Sequence, residues 1–203
     1  MAVNLTTVAN LCSGIMNAAR ASYGTVDDQL HFSQEFTDGA AAADQAVIAA
    51  ILDTPNHRRR AEFIELKTVT DGSIVPGSIG AVWIDGKPGV LVKPSTLRRY
   101  KLNRFALTSI DSGGYYYLEG QTIYFIGSSA KIESVKTLDS SLLHAPDEYL
   151  WAVVAGTLAL IFPKEGTNIG AASYFGGQFQ NMLQMIRNGA TSLPAVTPLG
   201  QKV

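Results

Sequence analysis

The sequence predicts an α+β protein: a helical bundle of about four helices, an inserted β-rich hairpin or barrel-like element, and an extended C-terminal arm. Three observations predict it. Apolar residues recur at helical spacing near both ends of the chain. Short β-type runs separated by turn residues fill the middle third. The last fifteen residues have neither period and contain two prolines and two glycines. The expected segments are N-terminal helices over 1–62, a β-rich insertion over 63–137, C-terminal helices over 138–188 and an arm over 189–203.

The first helix is expected over 4–20, where Leu5, Val8, Leu11, Cys12, Ile15, Met16 and Ala19 share one side. Tyr23-Gly24 is expected to end it, and 25–36 reads as an extended connection. The second helix is expected over 40–52, capped by Thr37 or Asp38 and stopped by Thr54-Pro55-Asn56. β-type runs follow at 63–69, 80–84, 90–93, 105–109, 115–118 and 123–126, with 132–135 as a further strand. Asp85-Gly86-Lys87-Pro88-Gly89 and Glu119-Gly120-Gln121 are the expected hairpin loops. Pro146, Asp147 and Glu148 suit the first turn of a helix over 147–162, about 24 Å long at 1.5 Å per residue. Pro163 is expected to end it. Asn168 is placed to cap a last helix over 169–187, with Phe175, Phe179, Met182, Leu183 and Ile186 on one stripe.

Composition narrows the function. Apolar residues make up 46% of the chain and charged residues 16%, where about a quarter is usual. That balance suits a subunit with much of its surface covered by partners. The formal net charge is −1, which argues against a dedicated DNA-binding domain. A single cysteine, Cys12, excludes an intrachain disulfide framework and a Cys-rich zinc site. It fits a reducing cytoplasm. The first residues lack the basic and apolar regions of a signal peptide. The longest apolar run, 150–162, is too short for a membrane span of about 20 residues.

No catalytic constellation is found. His31, His57 and His144 form no metal-binding pair on a helix and are expected to be solvated or capping. The glycine-rich stretches fit neither a phosphate loop nor a dinucleotide fingerprint. No nucleophile elbow is present, and the carboxylates are scattered. The expectation is a non-enzyme with no cofactor, no metal and no catalytic residue. Two basic groups stand out: Arg58-Arg59-Arg60 after a helix end, and Arg98-Arg99-Tyr100-Lys101 with Arg104 in the β-rich part. Each reads either as a solvated face or as a contact for an acidic protein or DNA phosphates.

The order of segments carries a resemblance. The Ala-rich helix ends in T-P-N-H-R-R-R-A-E-F, and the β part holds D-G-S-I-V-P-G-S-I-G and the hairpin Y-Y-Y-L-E-G-Q-T-I-Y-F. There follow A-P-D-E-Y-L-W-A-V-V-A-G-T-L-A-L-I-F-P-K-E-G and the final helix A-A-S-Y-F-G-G-Q-F-Q-N-M-L-Q-M-I. Over roughly residues 3–188 this resembles the head-to-tail adaptor (connector, or head-completion) proteins of tailed bacteriophages. The resemblance implies a structural virion protein, made in the host cytoplasm and located at the head–tail neck. It implies a ring, usually of twelve copies, beneath the portal protein, contact with a tail or nozzle component, and passage of DNA without sequence specificity. Another neck or tail-interface ring component is the alternative, and a nucleic-acid-binding module a further one. Candidate assembly contacts are Arg58, Arg59 and Arg60, the small residues Ala152 and Gly156, and the apolar arm residues Leu193, Pro194, Val196, Pro198 and Leu199.

Overall fold

A computed structural model of the chain describes residues 3–21, 34–75, 79–102, 114–139, 141–162 and 169–197. It divides into two compact units. One joins residues 1–60 and 138–203; the other is the continuous stretch 61–137.

Among the described residues, the first unit holds four α-helices: α1 (Leu5–Ala21), α2 (Gln34–Leu52), α4 (Leu150–Ile161) and α5 (Ile169–Arg187). Asn4 caps α1, its side-chain oxygen accepting the Thr6 N–H at 2.7 Å. Val8, Ala9, Cys12, Ile15 and Met16 form its buried face. Helix α2 starts earlier than Thr37-Asp38, which lie inside its first turns rather than at its cap. Phe36, buried in the core, anchors the extra turn, and Gln34 bonds Asp38 one turn on at 2.7 Å. The expected extended stretch 25–36 is therefore helical from residue 34; its earlier part, with Tyr23-Gly24, lies outside the described residues.

Helix α4 is shorter than 147–162. Asp147–Tyr149 form a separate 3-10 turn and the α-helix begins at Leu150, giving twelve α-helical residues, about 18 Å. All residues from Ala152 to Leu158 are buried, so α4 is the central rod against which α1, α2 and α5 pack. Gly156 lets two neighbours approach: a Cβ there would meet Ala43 Cβ at 2.7 Å and the Phe179 ring at 2.9 Å. Asp44, buried on α2, accepts the backbone N–H groups of His144 and Ala145 at 2.9 and 2.7 Å. This fixes the chain before α4. Helix α5 occupies the expected span, with Phe175, Met182, Leu183 and Ile186 buried. Pro163 and Asn168 lie outside the described residues.

The second unit holds β1 (Ile64–Val69), β2 (Ser73–Ile74), β3 (Ile79–Ile84), β4 (Lys87–Leu91), α3 (Pro94–Leu102), β5 (Gly114–Glu119), β6 (Thr122–Ile126) and β7 (Ala130–Val135). The sheet order is β1-β7-β3-β4-β5-β6-β2. Its two edge strands are consecutive in sequence, joined by the turn Thr70–Gly72, so the sheet nearly closes on itself. β4 and β5 are parallel and the other pairs antiparallel. β4 pairs with β3 through Lys87 and Pro88, then with β5 through Gly89, Val90 and Leu91. Pro88, which lacks an N–H, falls where only one side is paired. The interior is Val75, Val82, Ile84, Ile123, Phe125, Ala130 and Ile132.

The expected architecture, a bundle of about four helices with an inserted β-rich hairpin or barrel-like element, is corrected. Among the described residues there are five helices and a seven-stranded, nearly closed mixed sheet. The misreading has three local causes. The loop expected over 85–89 is a two-residue turn, because Asp85 and Gly86 both adopt positive φ (49° and 80°), the signature of a tight hairpin. That releases Lys87–Gly89 to pair. β2 has only two residues, too few for a period. The basic stretch near residue 98 is helical, opening with Pro94 at a position where proline's missing N–H costs nothing. The expected strand 105–109 lies outside the described residues.

Candidate functional site

A cluster of polar contacts in the helical unit lies at the root of the C-terminal segment. Gly189, at φ 80°, ends α5. The N–H of Ala190 bonds the Met185 carbonyl at 3.0 Å and that of Gly189 bonds Ile186 at 2.9 Å, the paired closure that a left-handed glycine permits. The chain then runs back over its own unit. Leu193 and Val196 are buried and Pro194 is exposed. Gln178 on α5 grips Thr197 from both ends of its amide, accepting the backbone N–H and donating to the carbonyl, each at 3.3 Å.

Two carbonyls at the root are held by side chains from elsewhere in the same unit. Arg58 donates to the Thr191 carbonyl at 2.9 Å and to Glu148 at 2.7 Å. Arg59 meets the two oxygens of Glu148 in a fork, Nε at 2.9 Å and Nη2 at 2.7 Å. Glu148 is 17% exposed and the two arginines 46% and 37%. The Arg59 guanidinium, bonded to it first and foremost, holds the Glu148 carboxyl below its ordinary range. Tyr149 donates to the Ala190 carbonyl at 2.9 Å and contacts His57 Nε2 at 3.2 Å.

His57 is buried, which corrects the expectation of a solvated or capping residue. Its Nδ1 accepts the Arg59 N–H at 3.1 Å. Tyr149 has one hydroxyl hydrogen, directed at Ala190, so its oxygen accepts from His57 Nε2–H. The bonding pattern thus assigns a neutral ring with its proton on Nε2. Burial, and then the Arg58 cation, push its pKa down.

The candidate contacts fall into distinct places. Arg58 and Arg59 bind Glu148, and Arg60 opens a short 3-10 turn. Ala152 and Gly156 lie in the interior of the helical unit, where their small size serves packing within the protomer. Leu193 and Val196 are likewise covered by the chain's own helices, while Pro194 faces solvent. Pro198 and Leu199 lie outside the described residues. Sequence reasoning missed Glu148, Tyr149 and His57 as partners of the arginines. Asp147-Glu148 had a sufficient reason as helix-start acids, so nothing pointed to residues 89 and 90 positions away.

In the β unit a cleft of about 320 Å³ is lined by Leu66, Trp83, Asp85, Gly86, Ser129 and Lys131. Asp85 there is already engaged, its carboxylate accepting the N–H groups of Ser128 and Ser129. Among the described residues no group of three or more His, Cys, Asp or Glu is placed to hold a metal ion. No helix among them is long and apolar enough to cross a membrane. The sequence matches no protein-family model and no curated protein.

Proposed function

We propose that this chain is a structural subunit of the neck of a tailed bacteriophage: a head-to-tail adaptor. Copies join in a ring, of twelve on the resemblance, beneath the portal protein, and the ring takes the tail or nozzle component and lets DNA pass. The observation that carries the reading is the order of segments. The hairpin 115–125, the stretch 145–162 and the aromatic-bearing helix α5 follow one another as in adaptor proteins. Two further features support it. Charge is sparse, 16% of residues, as suits a surface that neighbours cover. Large apolar side chains stand exposed on the β unit: Leu66, Ile74, Val90, Leu91, Leu118 and Val135. In a ring, neighbouring subunits would cover such side chains.

The proposal for the arm is narrower than its composition alone suggests. Leu193 and Val196 are held on the chain's own helices, so anchorage to the portal or a neighbour falls to Pro194 and the residues beyond Thr197, among them Pro198 and Leu199. The test is co-sedimentation with portal-bearing particles of the full chain and of a chain ending at Thr197. Binding of the full chain that weakens on truncation is expected. Unchanged binding removes the arm's role. Binding to isolated tails but not to portal particles replaces the adaptor with another neck or tail-interface component.

A further inference from the structure

The structure separates the two basic groups. Arg58 and Arg59 are tied to Glu148. Helix α3 presents its cations differently. Its inner side is Leu97, 1% exposed, and Tyr100, whose ring lies 5.0 Å from that of Tyr115. Asp71 tethers the helix to the sheet: one carboxylate oxygen accepts the Phe125 N–H at 2.8 Å, the other Lys101 Nζ at 2.6 Å. Ser95, Arg98 and Arg99 occupy the outward stripe at positions i, i+3 and i+4, all exposed, with Lys93 exposed just before it. Among the described residues none of these three cations has an ion-pair partner.

We propose that the outward stripe of α3, with Lys93, Ser95, Arg98 and Arg99, is a contact for the phosphate backbone of duplex DNA. Two like charges on a tethered helix and a third just before it repel one another, and a polyanion relieves that. The described exposed positions of the stripe, Ser95, Arg98 and Arg99, carry no apolar side chain. A protein interface needs an apolar or aromatic centre, whereas phosphates are bound by Arg, Lys and Ser. Residues 61–137 carry nine Lys and Arg against seven Asp and Glu, within a chain of net charge −1. The positive excess is therefore local, as suits weak, sequence-independent contact. The inference rests on the proposed function only in taking duplex DNA as the polyanion.

The test is fluorescence anisotropy of the full chain with a labelled 30-base-pair duplex of arbitrary sequence. Three neutralised phosphates predict a slope of about −2.7 in log K against log salt, hence about a 40-fold loss between 50 and 200 mM salt. The R98Q/R99Q variant, checked by its thermal melt to be folded, is expected to cut the slope to about −1. Lys67→Gln, on the same unit but with a Glu65 partner at 2.8 Å, is expected to bind as the parent does. No binding at 50 mM salt, or binding that survives R98Q/R99Q, overturns the proposal. So does tighter binding of poly-glutamate than of duplex, which would make the partner an acidic protein. A ring at the portal without DNA affinity leaves the adaptor reading standing and removes this one; DNA affinity without a ring does the reverse.

Discussion

Tyr149, the last residue of the 3-10 turn before α4, donates its hydroxyl to the carbonyl of Ala190, the first residue beyond the glycine that ends α5, across 2.9 Å. Forty-one residues apart, they join the start of one buried helix to the exit of the next. Arg58 repeats the link one residue on, through Thr191 and Glu148. The C-terminal segment is thus latched at its root by side chains from elsewhere in the same unit, and the latch makes testable demands.

Glu148→Gln removes the charge that two arginines share. Charge-assisted bonds of this kind are worth about 1.5–3 kcal/mol each, reduced here by the partial exposure of both guanidinium groups. A loss of about 1–2 kcal/mol is expected in urea unfolding. Because the folded carboxyl is held below its unfolded value of about 4.3, its contribution is complete above that pH. It is lost as pH falls through the lower folded value. The parent should therefore lose stability below about pH 4.3 more steeply than Glu148→Gln.

His57 makes a second demand, in a different window. Its folded pKa lies below the unfolded value of about 6.5, so the unfolded chain takes up the proton first. Stability contributed by the neutral ring is complete above about pH 6.5 and falls as pH drops from there to the folded pKa. Proton-detected nitrogen spectra of the ring should show the Nε2–H form at pH 7. An Nδ1–H tautomer, or a pKa above 6.5, would remove the latch as described. Slower exchange of the Ala190 and Thr191 amides at pH 7.5 than at pH 5.5, after correction for intrinsic rates, is also expected.

Asp44 discriminates between charge and bonding. Its Oδ1 accepts both the His144 and the Ala145 N–H, so Asp44→Asn can keep these two bonds with the amide oxygen in that place and loses only the 3.0 Å His144 contact to Oδ2. Asp44→Ala leaves two N–H groups without their acceptor. Loss of about 2–4 kcal/mol is expected for alanine and clearly less for asparagine, read from denaturant midpoints. Burial pushes the Asp44 pKa up, consistent with a carboxylate whose charge itself is not what stabilises.

Two glycines should respond oppositely to the same substitution. Gly156→Ala places a methyl 2.7 Å from Ala43 Cβ, and overpacking of this kind costs about 1–3 kcal/mol. Gly177→Ala meets nothing within 4 Å in the interior of α5, and should stabilise by about 0.5–1 kcal/mol. Thermal melts of the two variants decide it.

Much of the helical unit was legible because its signals are local and periodic. The α5 stripe needed only 3.6-residue spacing. In the β unit β1, β3, β5, β6 and β7 were legible one by one, but β2, α3 and the architecture were not. Closure depends on β1 pairing with β7 and β2 with β6, between residues at least 61 and 48 positions apart, and on β4 changing partners at Gly89. No local pattern encodes these. The latch was half legible: Arg58 and Arg59 stood out by charge, but their acid was hidden behind its helix-start role. His57 was misjudged because burial of one ring beside Tyr149 is a tertiary fact.

The adaptor reading meets its most direct test in electron microscopy of the purified chain mixed with portal-bearing capsids. The account predicts a closed ring of this chain at the portal vertex, coaxial with the portal channel, with the helical and β units each recognisable in its subunit. Absence of density at that vertex under saturating protein, or decoration of the capsid lattice instead, would contradict it.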